Sequence, residues 1–297
     1  MTAPLAGLFL PVTTPFDDAG RPAPERLAAQ IEVYSAFALG GLVLFGTSGE
    51  GPMLEEEERG PLLAAARAAT PAAWALIVQV GRESAPAACR AAERAAAAGA
   101  DALLALPPRY YPVGERGLAA YYRALQGATE LPLLAYHIPQ RTHVDLPVGL
   151  LAELAADGTL SGIKDSAGDV ALQAALRRAT PPGFAILDGK SSVLVEALEA
   201  GADGAILAVA DAAPEAALAV LDAHRAGDLA AARAAAERLG PLGAALGPRF
   251  GVPGIKAALD LRGWPGGGPP RAPLAPLGEP ERAEVADALR ALGVAVS

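Results

Sequence analysis

The feature that most constrains this chain is an alternation repeated eight times. Short runs rich in Leu, Ile and Val, at 7–13, 41–45, 74–80, 101–106, 131–136, 160–164, 184–187 and 204–209, are each followed by an Ala-rich stretch dotted with charge at helical spacing. A strand buried on both faces reads as a continuous apolar run rather than an alternating one, and such strands occur where helices cover both sides of a parallel sheet. Helical stretches begin near Pro24, Leu54, Ser84, Glu115, Pro147, Asp169, Ser191 and Pro214, where Pro, Ser, Asp or Glu suits a first turn. Eight strands and eight helices predict closure into a (β/α)8 barrel, and 297 residues suit one with an addition. The rival, an open doubly wound sheet, would carry a glycine-rich phosphate turn after its first strand. Here that turn is Thr13-Thr14-Pro15-Phe16.

After residue 209 the pattern becomes helical, over 228–245, 253–261 and 279–292, with a Gly/Pro-rich segment at 263–276 expected to be an ordered crossing rather than a tether. The expected organisation is a barrel at 1–225 and a helical region at 226–297 packed on it. A net charge of −9 argues against a nucleic-acid partner or an anionic membrane, since phosphate binding needs clustered cations. No apolar run reaches the length of a membrane span. One cysteine, Cys89, makes no internal disulfide, and the first residues lack the basic and apolar regions of a signal peptide, so a cytoplasmic location is expected.

In such a barrel the reactive residues sit at the C-terminal ends of strands and in the loops that follow. Lysine usage points to one of them. Of 24 basic residues only Lys164, Lys190 and Lys256 are lysine. Where arginine serves as the general cation, a lysine can do what a guanidinium cannot: lose a proton and attack a carbonyl. Lys164 closes an apolar run, which would desolvate its amine; pairing with Asp165 is the alternative. Tyr136 closes the preceding run and could shuttle protons beside Lys164, or cap the core. Gly46-Thr47-Ser48-Gly49-Glu50 offers backbone N–H groups and hydroxyls just before a helix expected at Pro52, a setting for a carboxylate, or merely a turn. The three histidines, at 137, 143 and 224, have no metal-ligand spacing, and no hydrolase elbow is present.

Taken in order, Gly-Thr-Ser-Gly-Glu at 46–50, Pro-Arg-Tyr-Tyr at 108–111, Tyr-His-Ile-Pro at 136–139 followed by Arg141-Thr142, Gly-Ile-Lys-Asp-Ser at 162–166, Gly-Ala-Ile at 204–206 and Gly-Val-Pro-Gly-Ile-Lys at 251–256 resemble the dihydrodipicolinate synthase and N-acetylneuraminate lyase superfamily of pyruvate-dependent Schiff-base aldolases. The resemblance covers nearly the whole chain. It implies a (β/α)8 barrel with C-terminal helices, a homotetramer built as a dimer of dimers, pyruvate and a small aldehyde as substrates, and no cofactor or metal. It further implies that Lys164 forms the imine, that Tyr136 is the proton shuttle, and that Thr47 and Ser48 hold the pyruvate carboxylate. Ser48 would continue a relay to Tyr111 of a neighbouring subunit, Arg141 would bind the second substrate's carboxylate, and Gly189 and Ile206 would line the imine pocket. The sequence departs from the family pattern at His137, where asparagine is common, at His143, where glycine is usual, and at Lys190, often acidic. The segment 266–274 resembles the 4-hydroxy-2-oxoglutarate aldolase branch, so cleavage of that compound or of a 2-keto-3-deoxy sugar acid stands beside a dihydrodipicolinate-synthase-like condensation. A non-catalytic barrel binding a 2-oxo acid is the reading from another class. A phosphate-handling isomerase would need a glycine-rich loop after the seventh or eighth strand, which Asp188-Gly189-Lys190-Ser191-Ser192 does not supply.

Overall fold

A computed structural model describes residues 5–296. Eight parallel strands follow one another in chain order around a closed barrel: β1 (Gly7–Leu10), β2 (Gly41–Leu44), β3 (Ala75–Gln79), β4 (Ala102–Ala105), β5 (Leu133–His137), β6 (Gly162–Asp165), β7 (Ala185–Asp188) and β8 (Gly204–Ile206). Apart from the first residue of β1, every strand residue is buried, which is why the runs are mostly apolar rather than alternating. Helices stand between the strands, and further helices follow β8, as expected. Three of their starts are fixed by side chains that accept an otherwise orphaned N–H: Ser84 from Ala87 at 3.4 Å, Asp169 from Leu172 at 3.1 Å and Asp228 from Ala231 at 2.9 Å.

Three strands run one residue beyond the expected apolar run. β5 includes His137, β6 Asp165 and β7 Asp188, so polar residues stand in register on neighbouring strands: His137 opposite Asp165, and Asp165 opposite Asp188. The helix expected near Leu54 begins instead at Glu56, and Gly51–Met53 is a single 3₁₀ turn. Short helices at Pro139–Thr142 and Val209–Ala212 are additional to the sequence reading.

The chain divides into two compact units, one built on Ala75–Ile206 and the other on Leu8–Trp74 and the residues from Leu207 onward. In the second unit the helices Pro214–Arg225, Leu229–Ala244, Gly251–Leu261 and Glu279–Ala291 form the region after β8. A π-helical turn at Ala245–Arg249 contains Pro248, which has no N–H to give to an α-helical ladder. The Gly/Pro-rich crossing is ordered by named contacts. Thr13 Oγ1 donates to Gly266 O at 2.8 Å, Arg26 to Gly267 O at 3.2 Å, and Gly268 N to Asp260 Oδ1 at 2.9 Å. Among the described residues no helix is long and apolar enough to cross a membrane.

Candidate active site

Register decides which strand-end residues meet. Tyr136 and Lys164 are direct partners across β5 and β6, so both side chains stand on one face, and the Lys164 ammonium nitrogen lies 4.3 Å from the centroid of the Tyr136 ring. Lys164 is 4% exposed and Tyr136 2%. The alternative pairing of Lys164 with Asp165 does not occur, because successive residues of a strand point to opposite faces. Asp165 turns away, and its Oδ1 lies 2.8 Å from His137 Nδ1 and accepts from Ala167 N at 3.2 Å. Among the described residues Lys164 has no carboxylate partner.

Behind the lysine, the opposite face carries a polar layer that sequence reasoning missed. Gln173 Nε2 donates both to Asp165 Oδ2 at 3.0 Å and to Asp188 Oδ1 at 3.1 Å, bridging two fully buried carboxyl groups without a cation. Asp188 Oδ2 accepts from the backbone N of Lys190 at 3.1 Å. Burial pushes the Asp188 carboxyl up to about 7, against the hydrogen bonds from Gln173 and the Lys190 backbone that favour its anion. A period-2 reading from Lys164 and Tyr136 would have found His137 and Asp165. Gln173 sits on the helix Val170–Ala179 and carries no such signal.

Gly189, just beyond β7, donates its N–H to Asp165 O at 2.7 Å, and a Cβ there would lie 2.0 Å from Ser166 Oγ; only glycine fits. Ile206 ends β8 with 1% exposure. Arg141 is exposed on the helix Pro139–Thr142, and its guanidinium has no side-chain partner among the described residues. Its neighbour Gln140 ties that turn to the end of β6 by donating to Ser166 O at 2.8 Å. His143 caps the turn in the left-handed region at φ 56°. Lys190 is exposed, and its ammonium makes no bond to Asp188; its stem covers Gly168. Tyr110 and Tyr111 are 78% and 73% exposed, edge-to-face at 5.0 Å, on a loop whose backbone N–H groups at Arg109 and Tyr110 donate to Glu83 Oε2.

In the other unit, Gly46–Glu50 follows β2. Ser48 is 4% exposed, and its hydroxyl has no partner among the described residues. The loop is closed by Glu50 N donating to Thr47 O at 3.2 Å and Gly51 N to Gly46 O at 3.1 Å, while Thr14 Oγ1 donates to Gly49 O at 2.7 Å. The helix dipole expected behind this loop is absent: three residues of 3₁₀ turn follow it, and the helix starts only at Glu56, because Leu54 and Glu55 are extended. Phe45 and Glu50, at φ 59° and 52°, are both left-handed, a conformation that L residues resist. Gly51 must be glycine, since a Cβ there would overlap Phe45 O. Among the described residues no group of three or more His, Cys, Asp or Glu gathers to hold a metal ion.

The family model for the dihydrodipicolinate synthetase family matches residues 4–292. The chain belongs to this family. Members of the dihydrodipicolinate synthetase family are class I lyases, and this chain is a lyase of that class. It is 34% identical over 293 residues to a 4-hydroxy-tetrahydrodipicolinate synthase of Synechococcus, covering 97% of this chain and 96% of the relative. Among solved structures it is similar to YagE of Escherichia coli K12, a prophage protein of this family in complex with pyruvate, with TM-score 0.93, 29% identity and coverage of 98% and 100%. It is also similar to a monomeric dihydrodipicolinate synthase variant, with TM-score 0.92, 26% identity and 97% of each chain covered.

Proposed function

We propose that this chain is a pyruvate-dependent Schiff-base lyase of the 4-hydroxy-tetrahydrodipicolinate synthase type, working through Lys164. The observation that carries the reading is a lysine buried at a strand end with no carboxylate partner among the described residues and a tyrosine ring 4.3 Å from its nitrogen. The Lys164 amine adds to C2 of pyruvate and water leaves, giving a protonated imine. That imine accepts the electron pair left when a C3 proton departs, which a free pyruvate carbanion in water could not accommodate. The enamine then attacks the aldehyde carbonyl, a carbon–carbon bond forms, and water hydrolyses the imine to release product and the free lysine.

Tyr136 moves protons among the hydroxyl, the amine and the new alkoxide. Thr47 and Ser48 take the pyruvate carboxylate, and Gly189 and Ile206 line the pocket. Arg141 has an uncommitted guanidinium suited to two parallel hydrogen bonds with a distal carboxylate, which favours an acidic aldehyde such as aspartate semialdehyde. Tyr111, exposed in the isolated chain, reaches Ser48 of a neighbouring subunit in a homotetramer. The barrel comprises 1–225 and the helical region 226–297, of which 1–4 and 297 lie outside the described residues, and the enzyme is cytoplasmic.

Borohydride reduction with a panel of 2-oxo acids, read by intact mass, tests the reading. Wild type should trap pyruvate and Lys164→Arg should not, because charge without a deprotonatable amine gives no imine. An adduct that persists in Lys164→Arg and disappears in Lys190→Arg would overturn it.

A further inference from the structure

The proposed chemistry uses one of three lysines, and the most deeply buried lysine is another. Lys256 is 1% exposed on the helix Gly251–Leu261. Its nitrogen forms an ion pair with Glu50 Oε1 at 2.6 Å, donates to Pro269 O at 2.9 Å and lies 4.4 Å from the centroid of the Phe16 ring. The other oxygen of Glu50 accepts from Arg271 N at 2.7 Å. One carboxylate therefore holds both a C-terminal helix and the Gly/Pro-rich crossing. The Arg271 side chain extends the same grip past the loop, with a forked pair to Glu58 at 2.6 Å and 2.6 Å and a bond to Met53 O at 2.9 Å.

What this grip restrains is a strained loop. Glu50 is the last residue of Gly46–Glu50, and it and Phe45 bracket Gly46–Gly49 in left-handed conformations that non-glycine residues adopt only when their surroundings over-determine them. Arg59 adds a bond to Gly51 O. A buried ion pair is a poor source of net stability, since desolvation offsets the attraction, so holding one geometry is the better account of its presence.

We propose that Glu50 and Lys256 form a buried lock that holds Gly46–Gly49 in the conformation that receives the pyruvate carboxylate, which makes both of them positioning residues. The proposal rests on the role given above to Thr47 and Ser48. The test uses Lys256→Met, Lys256→Arg, Glu50→Gln and the Glu50→Gln/Lys256→Met double variant in the full-length protein. Three quantities are read: deuterium exchange of the amides at 45–54, thermal unfolding, and borohydride trapping as a function of pyruvate concentration.

Lys256→Met and Glu50→Gln should speed exchange at 45–54 and raise the half-saturating pyruvate concentration by about 10- to 100-fold, the scale for a misplaced binding group, while trapping at saturation changes little. Lys256→Arg should restore much of this. The double variant, with no unpaired buried charge, should recover thermal stability but keep the raised pyruvate requirement. A pyruvate requirement that returns to wild type with stability in the double variant, or exchange at 45–54 unaffected by Glu50→Gln, would overturn the lock. Should Lys256→Met fail to fold, Glu50→Gln and the double variant decide the matter. A Ser48→Ala variant with an unchanged pyruvate requirement, beside faster exchange in Glu50→Gln, would instead remove the carboxylate role of the loop and leave the lock standing.

Discussion

Lys164 and Lys256 are buried to nearly the same degree, 4% and 1% exposed, and are placed in opposite ways. Each has an aromatic ring under its nitrogen, at 4.3 Å for Tyr136 and 4.4 Å for Phe16. Lys256 has a carboxylate and a carbonyl in addition, and Glu50 opposes the fall in pKa that burial imposes on it. Lys164 has neither. The same division separates Arg271, forked onto Glu58 and bonded to two carbonyls, from Arg141, exposed and uncommitted. It also separates Glu50, which has an ammonium, from Asp188, which among the described residues has a glutamine amide and backbone N–H groups. Burial alone does not distinguish the lysine proposed to react from the one that is paired. Commitment to a partner does.

The hardest test of that distinction is Tyr136→Phe, which gives Lys164 the kind of ring that Lys256 already has. Turnover should fall by about 10²- to 10⁴-fold, the range for a general acid–base group, with the fold intact by circular dichroism. Unchanged turnover would reduce Tyr136 to a packing ring like Phe16.

Asp188 sharpens the contrast through pH. Its folded pKa of about 7 lies above the ordinary 3.8, so the native state holds a proton that the unfolded chain releases. Stability from this group is complete below about pH 4, declines as pH rises toward 7 and is level above that, by at most about 4 kcal/mol. Urea unfolding from pH 5 to 8 should show Asp188→Asn gaining on wild type as pH rises. Parallel curves for the two proteins would mean that Asp188 does not hold the extra proton in the native state.

Arg141→Ala is expected to have the smallest effect. It should weaken an acidic acceptor by about 1.5 to 3 kcal/mol, as for a hydrogen bond to a charged group, and spare pyruvate trapping and stability because the side chain has no side-chain partner among the described residues. Aspartate semialdehyde, glyoxylate and glyceraldehyde compared as acceptors would show it. An equal loss with all three would place Arg141 with Arg271 among the structural cations.

The barrel was legible because strands buried on both faces leave uninterrupted apolar runs, and the pairing of Lys164 with Tyr136 followed from strand order alone. The lock was not legible. Glu50 and Lys256 meet across most of the chain, and the left-handed backbone of Phe45 and Glu50 leaves no mark in residues that are not glycine. The polar layer of His137, Asp165 and Asp188 was hidden because each residue lies one step past its apolar run, where a strand ends by composition but not by hydrogen bonding. The dipole expected at Pro52 failed for a local reason: Pro52 lies inside the three-residue turn Gly51–Met53 rather than at the start of a helix.

The near-exclusion of lysine also bears on how the molecule meets reagents. With Lys164 and Lys256 buried, Lys190 is the one exposed side-chain amine among the described residues. An amine-directed dye or surface linker applied to the folded protein would find a single side-chain attachment point, on the turn after β7.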